Sequence, residues 1–193
     1  MSDRLPRSGD NASGQALLNI WFRRKPNDNE GLPSDIRPFF QRIADSRVSH
    51  FRHGRVLLAS QIIGLFRVDR EWTEVNFLPL FDWSKNAVEA RAVWEGFLWS
   101  PRLYRPLLIA FKPYFLESSN HYADLGGNRR QFAAFLTYVA LERIEGYSDV
   151  DFQKAIGNLP SEGLVEIARA LAQSIEGAGE QREEYWKNRI YPF

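Results

Sequence analysis

The sequence predicts an all-α fold, either a HEAT-like helical array or an irregular antiparallel bundle of about eight helices. Three observations favour it. Apolar residues recur at helical spacing in one segment after another. No segment shows the sustained alternation of a strand, and no hairpin dipeptide joins two apolar runs. Residues that cap or break helices stand between the apolar segments. Helix pairs spaced by about 35–45 residues would fit a HEAT-like array, although no sequence repeat is visible at that period.

The first part of the chain is polar. Residues 1–32 are typical of a flexible tail that can form one short helix over 16–24, and turn residues follow that segment. Ser34 and Asp35 then offer an N-cap for a helix that runs to about Ala44. From residue 33 to the end, we expect a single all-helical domain.

The middle of the chain predicts four further helices. The first of them is apolar on most sides, and its length favours a helix over a buried strand. Asp69 and Ser84 can cap the second and the third. Ser100 and Pro101 end the third and begin the fourth, because proline is tolerated at the first helical position. These helices are predicted over residues 52–68, 70–80, 84–98 and 101–116.

The last third predicts helices over residues 132–140, 148–157, 161–176 and 180–190. The helix over 161–176 has the clearest amphipathic pattern in the chain. We expect its apolar residues to face the protein core, and these are Leu164, Ile167, Ala168, Leu171, Ala172 and Ile175.

Composition excludes several classes of protein. Zero Cys removes disulfides, thiolate metal sites and a Cys nucleophile. No apolar run approaches the roughly 18–20 residues that a membrane helix needs, and the polar N-terminus is unlike a signal peptide, so we expect a cytoplasmic protein without membrane contact. Formal net charge is +1, with twelve Lys and Arg against seven Asp and Glu in residues 1–70.

Basic residues suggest two places for nucleic-acid or anion contacts. Arg47, Arg52 and Arg55 could form a basic stripe that neutralises phosphate groups. The alternative for that stripe is a solvated face whose arginines pair with nearby aspartates. Arg129 and Arg130 follow a glycine turn at the start of a helix, where an anion could bind or where two helices simply connect.

No catalytic constellation can be assembled from the sequence. His50 and His53 are spaced like metal ligands on a helix, but no third ligand accompanies them, so we predict no metal site and no cofactor. An enzyme with an unrecognised site at these histidines or at the Gly126 turn remains the second alternative, after nucleic-acid binding. Trp99 and Arg102 are candidate contacts with a protein partner, since Trp and Arg dominate interface hot spots.

Several segments of the second half resemble a known family. They are WEGFLWSPR at residues 94–102, KPYFL at 112–116, LG at 125–126, YWKNRI at 185–190 and PF at 192–193. They are similar to an uncharacterised helical domain at the C-terminus of large bacterial sirtuin-like proteins linked to anti-phage defence. The similarity covers roughly residues 89–193.

The resemblance implies a non-catalytic scaffold, interaction or sensing module of a larger defence protein. In such proteins the NAD-consuming chemistry belongs to a separate sirtuin-like domain, whose Gly-rich loop and catalytic His have no counterpart in this sequence. The implied partner is another protein or a covalently linked sirtuin-like domain. Family members continue beyond the final Pro-Phe, so we expect either a C-terminal piece or a stand-alone relative.

Overall fold

The fold is all-helical, as predicted. A computed structural model describes residues 16–191 except Leu17 and Phe22. In this part of the chain 75% of the residues are helical and no strand occurs, and the α-helices with defined bounds number eleven rather than about eight. Residues 1–15, the larger part of the predicted tail, lie outside the described residues. Residues 18–21, within the predicted short helix, are helical.

The chain divides into two compact units, Met1–Ser100 and Pro101–Phe193. The boundary falls at Ser100 and Pro101, where the sequence predicts a helix break. That a single domain covers residues 33–193 stays a prediction, because compact units can belong to one domain or to two. The two units are described separately below.

Besides the helical residues 18–21, the described part of the first unit contains five short α-helices with defined bounds. They are α1 (Arg37–Ala44), α2 (Arg52–Ser60), α3 (Ile62–Val68), α4 (Arg70–Trp72) and α5 (Ala87–Leu98). Three further helical segments connect them, the 3-10 turns Ser49–Phe51 and Leu78–Phe81 and the π-helical segment Thr73–Phe77.

Three predicted elements of this unit are corrected. The continuous helix over 52–68 breaks at Gln61, whose φ of −113° and ψ of 15° leave the helical region. The predicted helix over 70–80 is α-helical only over Arg70–Trp72; Thr73–Phe77 is π-helical and Leu78–Phe81 is 3-10 helical. The change to a 3-10 turn comes directly before Pro79, which has no N–H to donate. The N-cap of α5 is Asn86 rather than Ser84, because the Ser84 hydroxyl donates a hydrogen bond of 2.6 Å to the Asp82 carboxylate.

The core of the first unit is aromatic, and it is closed by one very tight helix contact. Trp94 of α5 lies edge-on to Phe81 with ring centroids 4.9 Å apart, and its indole N–H donates to the Phe81 carbonyl. On the other side of α5, Gly96 meets α2. A Cβ built on Gly96 would overlap the carbonyl oxygen of Val56 and would lie 3.1 Å from Cβ of Ala59. Only glycine therefore permits this packing.

The second unit contains six α-helices. They are α6 (Arg105–Ala110), α7 (Lys112–Glu117), α8 (Arg129–Leu141), α9 (Asp149–Gly157), α10 (Ser161–Gly177) and α11 (Arg182–Tyr185). The segments Ser118–Asn128 and Gly179–Gln181 are 3-10 helical, and Trp186–Ile190 is π-helical. Pro101 does not begin a helix as predicted. Residues 101–104 are non-helical, and Pro106 occupies the first turn of α6 instead.

Lys112 joins α7 to the start of α9. Its ammonium group donates to the Gly146 carbonyl at 2.6 Å and to the Asp151 carboxylate at 2.7 Å. Asp151 also completes a capping box with Ser148. The hydrogen bond from Lys112 is the main reason that the pKa of Asp151 is lowered to about 2. The start of α9 is therefore stabilised by its own cap and by a lysine 39 residues earlier.

No helix within the described residues combines the length and the apolarity that a bilayer crossing requires.

We expect Gly96→Ala to lower the free energy of unfolding by about 3 kcal/mol, the upper end for overpacked cores, because the new methyl group would force α2 and α5 apart. Chemical denaturation monitored by circular dichroism measures this change. Gly157→Ala is the matched control, since no atom lies within 4 Å of a Cβ at that helical position. Its stability should change by less than about 1 kcal/mol, in the stabilising direction. Equal effects of the two substitutions would contradict the close approach of α2 and α5.

The Lys112–Asp151 bond predicts a pH-dependent contribution to stability. Asp151 has a lower pKa in the folded chain than the value of about 3.9 of an unperturbed aspartate. Its contribution is therefore present above about pH 4 and is lost as the pH falls through about 2. We expect Asp151→Asn to lower the melting temperature at pH 6, and the difference from wild type to shrink towards pH 2. Asp149→Asn, which removes a carboxylate without a described ion pair from the same helical turn, is the control; a pH-independent difference would refute the prediction.

Candidate functional site

Arg55 is the structural centre of the first unit, not an exposed contact. Its side chain is 0% exposed, and its Nε donates to the Glu89 carboxylate at 2.7 Å. Its terminal nitrogens donate to the main-chain carbonyls of Ile43, Asp45 and Val48 at 2.9–3.2 Å. A guanidinium without exposed surface cannot neutralise a phosphate group. The structure therefore removes Arg55 from the predicted nucleic-acid stripe.

The other two arginines of that stripe are paired with carboxylates. Arg52 donates to the second oxygen of Glu89 at 2.8 Å and is half-buried. Arg47 binds Asp45 through two side-chain hydrogen bonds of 2.8 Å. The pKa of Asp45 is lowered to about 2, first by these bonds and then by the backbone N–H of Arg47. Only Arg47 matches the alternative stated for the stripe, a solvated face whose arginines pair with nearby aspartates. Arg52 and Arg55 pair instead with Glu89, which lies 37 and 34 residues away.

Arg129 and Arg130 lie at the start of α8 and face α10. Each is 3.5 Å from a carboxylate of α10, Arg129 from Glu162 and Arg130 from Glu166. The Nε of Arg129 also donates to the carbonyl of Gly126, which has a positive φ of 57°. These contacts connect the glycine turn and α8 to α10. Both arginines therefore serve the packing of two helices, whatever further contacts they make.

Trp99 and Arg102 are both exposed. Trp99 follows the last residue of α5 and is 51% exposed, which places an aromatic ring at the surface of the first unit. Arg102 belongs to the non-helical start of the second unit and forms no described ion pair. Both residues are thus accessible, and their role as partner contacts stays a prediction.

The candidate titratable groups do not gather into one place. His50 and His53 are exposed. Within the described residues no three His, Cys, Asp or Glu side chains come together as a metal site would require. A cleft of about 520 Å³ exists in the first unit, and its walls include neither histidine nor the Gly126 turn.

The most unusual surface is on α10. Only Gly163, Ile167 and Ala170 of this 17-residue helix are fully buried. Leu164 is 44% exposed and Val165 is 49% exposed. The remaining apolar residues of the same side are half-buried or exposed, and with these two they form what we call the α10 face: Leu164, Val165, Ala168, Leu171, Ala172 and Ile175. At 100° per residue, this face spans an arc of about 120° without a charged residue.

Of the six residues predicted to face the core, only Ile167 is fully buried. Leu171 and Ile175 are half-buried, and the prediction is wrong for Leu164, Ala168 and Ala172, which are exposed. The buried side of α10 runs through Gly163, Ile167 and Ala170 instead. On the polar side, Glu166 pairs with Arg130 and Arg169, and Gln173 accepts a hydrogen bond from the Tyr138 hydroxyl at 3.3 Å. Val165 was not among the residues predicted from the sequence for this face. A helix whose apolar arc is too wide to be buried by one neighbouring helix often has a second contact face, and this was the available signal.

Comparison of the chain with protein-family models, with curated proteins and with solved structures finds no match. The candidate site therefore depends on the geometry of the described residues alone.

The Arg55–Glu89 pair predicts a large and specific loss of stability. We expect Glu89→Ala to lower the free energy of unfolding by about 3–5 kcal/mol, because Arg55 would stay buried without an anion. The double variant Arg55→Met, Glu89→Leu should recover most of that loss, since an apolar pair leaves no unpaired charge. Urea denaturation of both variants measures the two values.

Arg47→Ala is the control for this experiment, because it removes an exposed arginine from an ion pair of the same region. Its effect should stay below about 1 kcal/mol. A loss for Glu89→Ala no larger than that of Arg47→Ala would mean that the buried pair does not hold the unit together.

Proposed function

We propose that the chain is a non-catalytic helical module that binds a protein partner through the α10 face. One observation carries this proposal, the continuous apolar surface that α10 directs to solvent. Contiguous exposed apolar surface is uncommon on monomeric proteins and marks interaction sites when it is large. The six residues of this face contribute branched side chains and two alanines, and they contribute no charge.

Most of the α10 face is exposed within its own unit, and only Leu171 and Ile175 are half-buried. Gly163, Ile167 and Ala170 bury another side of the helix. Gly163 brings the helix close to Tyr122, since a Cβ there would lie 3.3 Å from the ring. An apolar surface that its own unit leaves mostly exposed is best explained by a contact outside the unit.

The shape of the face suits a helix of the partner. Ala168 and Ala172 are small and exposed, and they lie between larger residues such as Leu164 and Ile175. Small residues at the centre of a helix face let a second helix approach closely, while the larger ones fill its grooves. An amphipathic helix that presents apolar residues at i, i+3, i+4 and i+7 would match this surface.

The resemblance of residues 89–193 connects this module to a larger bacterial sirtuin-like defence protein. The partner would then be its sirtuin-like domain or another protein of the same system. Trp99 and Arg102 stay candidate partner contacts, each on the surface of its own unit. The alternative function, nucleic-acid binding by the arginine stripe, has less support because Arg55 is buried and Arg47 and Arg52 have carboxylate partners.

We also propose a HEAT-like arrangement of the helices. Side-chain bonds between helices that are separated by at least one other helix recur at similar sequence separations in both units. Arg55 bonds Glu89 over 34 residues and Tyr138 bonds Gln173 over 35 residues, while Lys112 and Asp151 are separated by 39. In a helical array each helix packs on its counterpart of the next repeat, which gives such a spacing. Superposition of consecutive helix pairs in an experimental structure tests this arrangement.

The binding proposal is tested by affinity purification of the tagged chain from its native host, with and without nuclease. We expect one protein to be recovered from both samples, and Ala168→Glu to reduce its recovery at least tenfold by placing a charge in an apolar interface. Gln153→Glu adds the same charge to an exposed position of α9 and should leave recovery unchanged. Circular dichroism confirms that both variants are folded.

Two results would overturn the proposal. One is equal recovery of the protein by wild type and Ala168→Glu, which would place the contact elsewhere. The other is loss of all recovered protein after nuclease treatment, which would favour nucleic-acid binding.

A further inference from the structure

The cleft of the first unit is lined mainly by charged and polar residues, unlike the α10 face of the second unit. It has a volume of about 520 Å³ and lies between α1, the loop after it, and the start of α5. That volume falls in the range of about 300–1,000 Å³ that is usual for small-molecule sites. Its charged lining residues are three cations and three carboxylates: Arg42, Arg47, Lys85, Asp45, Asp82 and Glu89.

The three carboxylates already have donors within the protein. Asp45 accepts two side-chain bonds from Arg47. Asp82 accepts from the hydroxyl and the backbone N–H of Ser84 at 2.6 and 3.0 Å, and these bonds lower its pKa. Glu89 lies between Arg52 and Arg55, which themselves do not line the cleft. Arginines thus neutralise Asp45 and Glu89, whereas Asp82 is hydrogen-bonded by the neutral Ser84 and paired with Lys85.

The cations of the lining differ in their partners. Arg42 is exposed and forms no described ion pair, and its guanidinium carbon lies 5.5 Å from the centroid of the Phe51 ring. The ring therefore positions this cation without neutralising it. Lys85 forms a long ion pair with Asp82, at 3.8 Å. Behind the lining, Arg52 and Arg55 together carry one more positive charge than Glu89 neutralises.

Neutral donors complete the lining. Asn86 uses its side-chain oxygen to cap α5, where it accepts from the Glu89 N–H at 3.2 Å. Its amide nitrogen has no described acceptor, and the hydroxyl of Ser46 has no described partner either. These groups can donate to an oxygen-rich ligand.

We propose that this cleft binds a small organic phosphate, with Arg42 and Lys85 as the main contacts. Arg42 and the cluster of Arg52, Arg55 and Glu89 each leave one positive charge unbalanced. This excess favours a ligand with about two negative charges, and a phosphate monoester carries roughly −1.5 to −2 at neutral pH. Arg42 can bind two phosphate oxygens at once, and Lys85 acts as a point charge. The volume has room for a group the size of a nucleoside beside the phosphate.

Isothermal titration of the purified chain with AMP, inorganic phosphate and adenosine tests the site. We expect AMP and phosphate to bind and adenosine not to bind. The affinity for AMP should fall as the NaCl concentration rises from about 20 to about 200 mM, because the contact is ionic. Arg42→Gln and Lys85→Gln should each weaken AMP binding at least tenfold. Arg91→Gln removes an exposed arginine of α5 that does not line the cleft, and it should bind like wild type.

Binding of adenosine as tight as that of AMP, absence of AMP and phosphate binding at millimolar concentration, or unchanged affinity of Arg42→Gln would each overturn the proposal. Duplex DNA is included as a competitor, and displacement of AMP by DNA at equal phosphate concentration would show that the cleft is not specific for small ligands. The experiment needs no protein partner, so its outcome does not depend on the proposed role of the α10 face.

Discussion

The buried ion pair between Arg55 and Glu89 is the interaction on which the first unit depends. A buried guanidinium must be hydrogen-bonded and neutralised, and three segments of the chain contribute to this. The loop after α1 provides carbonyl groups, α2 carries the arginine, and the first turn of α5 carries the glutamate. The negative charge near the N-terminus of α5 also suits the helix dipole. The position of α5 on α2 thus satisfies electrostatics and packing together, since Gly96 permits the close approach two turns later.

Local signals predicted much of the fold. The bounds of α9 and α10 were predicted to within a residue or two, because a serine cap and a proline mark their starts. Breaks that depend on surroundings were not predictable in this way. Gln61 interrupts the helix over 52–68 although it is a good helix former. Likewise Ser84 is as good a cap as Asn86, and only its bond to Asp82 shows why α5 starts later.

The candidate sites were harder to predict than the helices. Exposure of an arginine depends on whether the fold brings an acid to it, and the partner of Arg55 lies 34 residues away. The same difficulty applies to α10, whose buried side runs through Gly163, Ile167 and Ala170 instead of the most apolar arc. Trp99 is exposed, and its selection as a candidate contact depended on residue type alone. Arg42 and Lys85 gave no signal in the sequence, because their position in the wall of the cleft depends on the fold.

The similar spacing of the inter-helix bonds has a consequence for how the chain folds. Arg55–Glu89, Tyr138–Gln173 and Lys112–Asp151 each close a loop of 34–39 residues. The entropy lost on closing a loop grows slowly with its length, by about 0.6 kcal/mol for each doubling. These contacts therefore form at nearly equal entropic cost, and none has to bring distant ends of the chain together. Both partners of the buried ion pair belong to the first unit, so the loop that this pair closes lies entirely within that unit.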